Sequence, residues 1–295
     1  MSGSDPSARA TAEDPGLAWI DLERYPLHRP DDPSFDALVA RVQADLDARG
    51  CAVIERFIRD DALSKLAAET AALAPRAHFT RAQATVYGGE PDADFAPGHP
   101  RRRTLLRENG FVAGDLIGND TLLRAVYHSP ALQHFLARCL DEPQVHEFAD
   151  PLAQLVVNVV RPEHMHAWHF DTNEFIVTLL TQPPETGGEF QYAPAIRAPG
   201  QENYEHVRAI LDGDHSRVRT LPLAPGDMQI FFGRYSLHRV APTAGSRDRY
   251  TAIMGYSRTP GLMGQAAKTR QIFGRSLDGH NSPDGAWKRD DDLTD

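Results

Sequence analysis

From about Phe148 onward the chain is written in short, strand-forming runs punctuated by Pro and Gly: Leu152–Val160, Phe175–Gln182, Glu189–Tyr192, Val218–Leu223, Met228–Phe232 and Arg249–Tyr256. β-Branched and aromatic residues bounded by turn residues read as strands. No helical pattern long enough for a crossover connection sits between them, so the strands pair antiparallel and a jelly-roll is expected rather than a doubly wound sheet. Neither GxGxxG nor GxxxxGK[ST] occurs, which removes the usual phosphate cradles.

The first half has a different texture. Phe35, Leu38, Val39, Val42 and Leu46 form one apolar helical stripe, and Gly50 stands where a left-handed residue closes a helix. Cys51 to Ile58 reads as a strand. Leu63, Leu66, Ala67, Thr70 and Leu73 give a second stripe, and Thr121 to Leu140 gives one or two more helices broken near Pro130. Residues 1–16 are expected to be a disordered tail and 281–295, with Asp290, Asp291 and Asp292, a solvated acidic one. Residues 17–280 are expected to form a single domain: a helix-rich part over 17–145, a jelly-roll core over 146–258 and a C-terminal extension over 259–280.

Composition narrows the partners. With 31 Lys+Arg against 41 Asp+Glu the net charge is −10, which argues against nucleic acid, and Arg101–Arg103 is the one basic cluster. No apolar run is long enough to span a bilayer, and Met1 to Gly16 lacks the apolar centre of a signal peptide. The expectation is a soluble cytoplasmic protein with a small-molecule substrate, no membrane partner, and an oligomeric state left open. Cys51 and Cys139, the only cysteines, are expected to be buried, inert thiols.

The richest stretch is His164-Met165-His166-Ala167-Trp168-His169-Phe170-Asp171. His169 and Asp171 are two apart, so on extended backbone they share one face. His238, after the strand ending near Phe232, is the candidate third ligand. Two imidazoles and one carboxylate suit ferrous iron and leave coordination positions open for an oxidant and a co-substrate. A lone His-x-Asp is expected by chance in a chain with 13 His and 41 acidic residues, so the weight lies in the distal His238 and the arginine beyond it. Arg249, with Thr251 on the same strand face, can hold a carboxylate through parallel hydrogen bonds. Arg247 has the same parity and is the alternative.

These pieces, His169-x-Asp171, His238-Arg239-Val240 and Arg249-x-Thr251, resemble the Fe(II)/2-oxoglutarate-dependent dioxygenases over roughly residues 146–258. The resemblance implies an α+β fold, with a cupin-like double-stranded β-helix as its core and helices packed from the N-terminal half. It also implies Fe(II) on His169, Asp171 and His238, 2-oxoglutarate as co-substrate on Arg249 and Thr251, and O2 as oxidant. More narrowly, Asp150-Pro151, Asn158, His166-Ala167-Trp168-His169, Pro100-Arg101 and Tyr127-His-Ser-Pro-Ala-Leu look like the family of free-amino-acid halogenases and hydroxylases. Halogenases of that family carry Gly in place of the triad carboxylate. This chain keeps Asp171, so the similarity implies an oxidoreductase that hydroxylates a free amino acid or a derivative. Lysine-acting members place acids at positions matching Ala153 and Thr172, which argues against lysine here. His166 and Arg101 match substrate-carboxylate contacts.

Blander readings stand beside these. Asn158 is a donor to the keto acid or a structural amide. Trp168 is a substrate wall or packing, and Arg101 a substrate contact or part of a solvated face. His164 and His166 are near enough to compete as ligands. Ala195–Asp214, with Tyr204 and Glu205, is expected between strands as part of a lid. The alternatives for the whole chain are a cupin-like metal protein without oxygenase activity, a protein side-chain hydroxylase, and a non-catalytic binding module.

Overall fold

The computed structural model describes residues 13–281 and 291–294. Among the described residues the α-helices are α1 (Pro33–Arg49), α2 (Leu63–Leu73), α3 (Leu122–Tyr127), α4 (Pro130–Cys139), α5 (Tyr204–Leu211) and α6 (Ala266–Phe273). The strands of the N-terminal half are β1 (Cys51–Ile54), β2 (His78–Phe79), β3 (Ala82–Ala84), β4 (Leu105–Arg107) and β5 (Gly110–Val112). Next come β6 (His146–Glu147), β7 (Leu155–Val160), β8 (His166–His169), β9 (Ile176–Gln182), β10 (Thr186–Gly187) and β11 (Phe190–Ala193). The chain then continues through β12 (Arg219–Leu221), β13 (Met228–Phe231), β14 (Leu237–Val240), β15 (Thr243–Ala244), β16 (Arg249–Met254) and β17 (Tyr256–Ser257).

Two antiparallel sheets form the core. The larger has the order β1-β13-β9-β16-β7-β5-β2 and the smaller β12-β11-β14-β8. The large sheet is buried on both faces, and the period of two along each strand decides which residue faces which side. Val157 and Val159, Val177 and Leu179, Ile230, Ala252 and Met254 pack with the apolar stripes of α1, α2 and α4. The alternate positions, Val156 and Asn158, Ile176 and Thr178, Gln229 and Phe231, Arg249, Thr251 and Ile253, line a cavity facing the small sheet. Helices thus cover one face of the large sheet, while the other face is the inside of the jelly roll. This is the α+β architecture expected.

Helix boundaries follow local chemistry. Gly50 takes φ 64 at the end of α1, a left-handed conformation that costs glycine least. Pro130 opens α4 behind a Ser129 side-chain cap, which separates it from α3. Cys51 and Cys139 are both buried, and burial pushes the Cys51 thiol up to about 12, far from a reactive thiolate. Among the described residues no helix is long and apolar enough to cross a membrane.

Both tail expectations need correction at the residues that are described, 13–16 and 291–294. Residues 1–12 lie outside the described residues, but Asp14 is buried: its carboxylate accepts hydrogen bonds from Ser129 Oγ at 2.7 Å and Ala131 N at 3.1 Å. At the other end Asp291 is ion-paired with Arg234, a guanidinium with no exposed surface, and Leu293 is buried. The Thr294 carbonyl accepts from Arg197, which is also buried. The composition of this segment signals solvation. Two guanidiniums carried into the interior reverse it, because a buried charge needs a carboxylate and carbonyls around it. Asp290 and Asp295 lie outside the described residues. Asp291→Ala is expected to destabilise the fold by about 2 kcal/mol, since it removes two charge-assisted hydrogen bonds from a buried guanidinium. Denaturant unfolding of the two proteins checks this; an unchanged midpoint would show that the C-terminal segment is dispensable.

Candidate metal centre

The two histidines sit on strands rather than in the connections around them. His169 ends β8 and His238 lies in β14, and the two strands are neighbours with His238 paired to His169. Asp171 follows β8 on a loop whose backbone is tied across, Asp171 N donating to Gly233 O at 3.1 Å. The result is convergence: ligand atoms of His169, Asp171 and His238 all lie within 4.8 Å of one another. His169 Nε2 is 3.7 Å from Asp171 Oδ1, and His238 Nε2 is 3.4 Å from Asp171 Oδ2.

Their hydrogen bonds fix what these atoms can do. His169 Nδ1 is 2.8 Å from Ala167 O, and His238 Nδ1 is 2.9 Å from Ser236 O. A carbonyl only accepts, so each Nδ1 carries the proton and each Nε2 turns its lone pair toward the other ligands. Burial, and then the nearby His166 and His238, hold the His169 imidazole well below its ordinary value, so it stays neutral. Desolvation pushes the Asp171 carboxyl up, but in the metal-free protein the pull of its neighbours, His238 above all and then His169 and Lys268, outweighs it and holds the group at about 2. Asp171 Oδ2 is buried with no hydrogen-bond donor. Two ring nitrogens and a carboxylate therefore face one point, where a cation would be held by all three. The donor set, two imidazoles and one carboxylate, fits Fe(II).

The triad opens into a cavity of about 740 Å³. Arg249 is buried in its wall; its Nε donates to Gly188 O at 3.0 Å and its Nη1 to Thr251 Oγ1. Burial lowers its guanidinium to about 10, so it remains charged near neutral pH. Arg247 is turned away, donating to the carbonyls of Pro183 and Pro184, so the structure places Arg249 in the cavity and Arg247 outside it.

His166 is buried beside the triad, its ring stacked on His169 with centroids 4.0 Å apart, and its Nε2 has no hydrogen-bond partner. Asn158 lines the cavity, and its amide donates to Gly110 O at 3.3 Å. Thr172 lines it too, accepting from Lys268 Nζ. Trp168 and Arg101 are not brought in. Trp168 points to the opposite side of β8, packing with Val207 and Ile210 of α5 beneath the Arg239 guanidinium. Arg101 pairs with Asp92 at 3.0 Å and lies over the Phe95 ring. The segment Ala195–Asp214 does not form the cavity's cover. It holds α5, whose apolar face packs into a satellite core; α6 and the residues just before it line the cavity instead.

Three contributors carry no signal in the sequence. Arg107, at the end of the three-residue β4, and Lys268, on α6, both line the cavity. Gly233 packs against Asp171: a Cβ there would overlap Oδ2 and come within 2.7 Å of Cγ. Arg107 stands just beyond the Arg101–Arg103 cluster that the sequence singles out, but the short strand that turns it inward has no periodicity to read.

Comparison with known proteins agrees with this architecture. The profile of the family described as Halogenase D matches residues 35–272. No curated protein matches the chain. Among solved structures, AviO1 from Streptomyces viridochromogenes Tue57 is similar at 18% identity, over 75% of this chain and 95% of that one, with a TM-score of 0.51. The non-heme alpha ketoglutarate dependent epimerase SnoN from nogalamycin biosynthesis is similar at 16% identity, over 77% and 82%, also at 0.51. With its jelly roll and its His-Asp-His convergence, the chain belongs to the halogenase D family.

Proposed function

We propose that the protein is a hydroxylase of a free amino acid or a close derivative, using Fe(II), 2-oxoglutarate and O2. The observation that supports it most is the retained Asp171, converging with His169 and His238 inside the cavity that also holds Arg249. In this reading the three ligands hold the iron. Arg249, with Thr251, grips the distal carboxylate of 2-oxoglutarate. His166 and Arg107 receive the carboxylate of the amino acid, and Thr172 lies along its side chain. Bound iron with 2-oxoglutarate and O2 supplies the oxidising chemistry: C–H, O2 and 2-oxoglutarate give C–OH, succinate and CO2. The protein's own work is orientation and exclusion of water, with α6 across the cavity. Halide chemistry needs an open coordination position where the Asp171 carboxylate stands, so the family name does not carry over to the product.

A panel of free amino acids is expected to include one that stimulates succinate release and gains a single oxygen. No chlorinated product should form in chloride buffer. Chlorination by the unaltered protein would sink the reading. Metal binding without any 2-oxoglutarate consumption would favour the cupin-like alternative.

Arg249→Met is expected to raise KM for 2-oxoglutarate about 100-fold, the cost of losing charge-assisted bonds to a carboxylate in a dry site. Arg247→Met should leave it within about twofold, because that side chain faces away. Saturation curves for succinate release check both, and equal effects would overturn the assignment.

A further inference from the structure

One end of the cavity is walled by carbon. Along β7 and β16 the cavity face carries the Asn158–Thr251 pair and, one pleat further from Arg249, the Val156–Ile253 pair. Phe111 of β5 stands opposite Asn158, Ala153 precedes β7, and Ile272 and Phe273 come from the last turn of α6. The side chains of Phe111, Ala153, Val156, Ile253, Ile272 and Phe273 pack as one cluster, and all of them line the cavity. Phe111, Ala153, Ile253 and Ile272 are only half-buried, so the wall keeps apolar surface that a ligand can cover.

This wall is continuous with the metal centre. The Phe111 ring lies edge-on to His166 with centroids 5.9 Å apart, and His166 in turn stacks on His169. Phe111 also meets Phe273, at 6.4 Å. A second connection runs through α6. Lys268, one turn before Ile272 on the same helix face, donates to Thr172 Oγ1 beside Asp171. A substrate side chain that leaves the triad along Thr172 therefore runs beneath α6 and meets the carbon wall.

Charge has no partner in that wall. Among the described residues three carboxylates line the cavity, those of Glu90, Asp150 and Asp171. Asp171 belongs to the triad, and Glu90 is exposed. Asp150 is committed to structure: its carboxylate lies 2.9 Å from His280 Nε2 and accepts from the backbone N–H groups of Leu152 and Gly264. The clustered wall residues carry no polar side-chain atom, so a charged side-chain end of either sign would give up its water against carbon. The volume also suits a large group. At about 740 Å³ the cavity matches sites that enclose drug-sized ligands, ~300–1,000 Å³, which leaves room beside 2-oxoglutarate.

Resting on the hydroxylase reading, we propose that the substrate is a free amino acid with an apolar side chain of leucine size or larger, aliphatic or aromatic. That side chain is seated between α6 and the Val156–Ile253 pair, with the backbone carboxylate at His166 and Arg107. The wall selects by burial: each covered methylene adds affinity, and a charged end removes it.

Binding and turnover are measured apart. Calorimetry with the nickel- and 2-oxoglutarate-loaded protein reads affinity for alanine, leucine, methionine, phenylalanine, glutamate and lysine, and succinate release reads turnover. At least one of leucine, methionine and phenylalanine is expected to exceed alanine, glutamate and lysine by at least ~10-fold in affinity and in kcat/KM. Ala153→Phe, which fills the subsite, should cost that best ligand at least ~10-fold and narrow its lead over alanine. Ile272→Glu, which puts a carboxylate in the wall, should move the preference toward lysine. Both variants should bind 2-oxoglutarate as the unaltered protein does, which reports an intact site. A charged amino acid or alanine as the best ligand of the unaltered protein overturns the proposal. So does the absence of binding by every apolar member, or a ranking that survives both substitutions in protein that still binds 2-oxoglutarate. Apolar amino acids that bind without being oxidised would support this substrate class and sink the hydroxylase reading instead.

Discussion

Asp171→Ala is expected to abolish succinate formation and to weaken metal binding by at least ~100-fold, a larger loss than removing an outer partner of a ligand causes. The change takes away the one anionic member of the triad. It leaves two imidazoles whose Nδ1 atoms are held by Ala167 O and Ser236 O, and among the described residues no other carboxylate converges with them to offset the charge of a divalent ion. Calorimetric titration with Mn(II) or Ni(II), with succinate assays alongside, reads both effects. Turnover that survives the substitution would remove Asp171 from the metal site.

The same carboxyl gives a pH signature in the metal-free protein. It is held at about 2 against 3.8 for the free group, so between those values the folded state binds fewer protons than the unfolded chain. Its contribution to stability is therefore present above about pH 4 and is lost as the pH falls toward 2. Asp171→Asn should flatten the stability profile in that window and leave it unchanged near neutrality in shape.

The second large effect is expected at a residue that carries no donor atom. Gly233→Ala should lower metal affinity by about 10- to 100-fold, the range found when the support of a metal ligand is disturbed. The added methyl would occupy the space of the Asp171 carboxylate. Asp171 cannot retreat freely, because its N–H is bonded to Gly233 O and the next carbonyl, Thr172 O, accepts from Arg234 Nη1 at 3.3 Å. Gly89→Ala, with nothing within 4 Å of its added Cβ, is the control and should bind metal normally. Equal metal affinity in both variants would show that the carboxylate has room to move.

Much of this site could be read from the chain because local chemistry wrote it there. His169 and Asp171 are close in sequence. Arg249 and Thr251 share a strand face through a period that needs no tertiary information. The α1 stripe and Gly50 were equally legible, since helix periodicity and a left-handed cap are properties of neighbouring residues. His238 was legible only as a candidate, because sequence cannot say which strand pairs with β8. Trp168 shows the limit of adjacency: it neighbours a ligand, and the alternation of β8 sends it into a different core.

The rest was decided by pairings between residues far apart in the chain. Arg107 and Lys268 are 161 positions apart by their numbering and reach one cavity because β4 and α6 fold against the same wall. Arg234 and Asp291 turn an acidic terminal segment into a buried ion pair, against everything its composition implies. What the sequence alone determined was the class of structure and the kind of donors available, since periodicity and side-chain chemistry are local. Which donors meet and which arginine faces the cavity were set by the tertiary fold, because Coulomb and coordination energies depend on distances through space, which short stretches of chain do not encode.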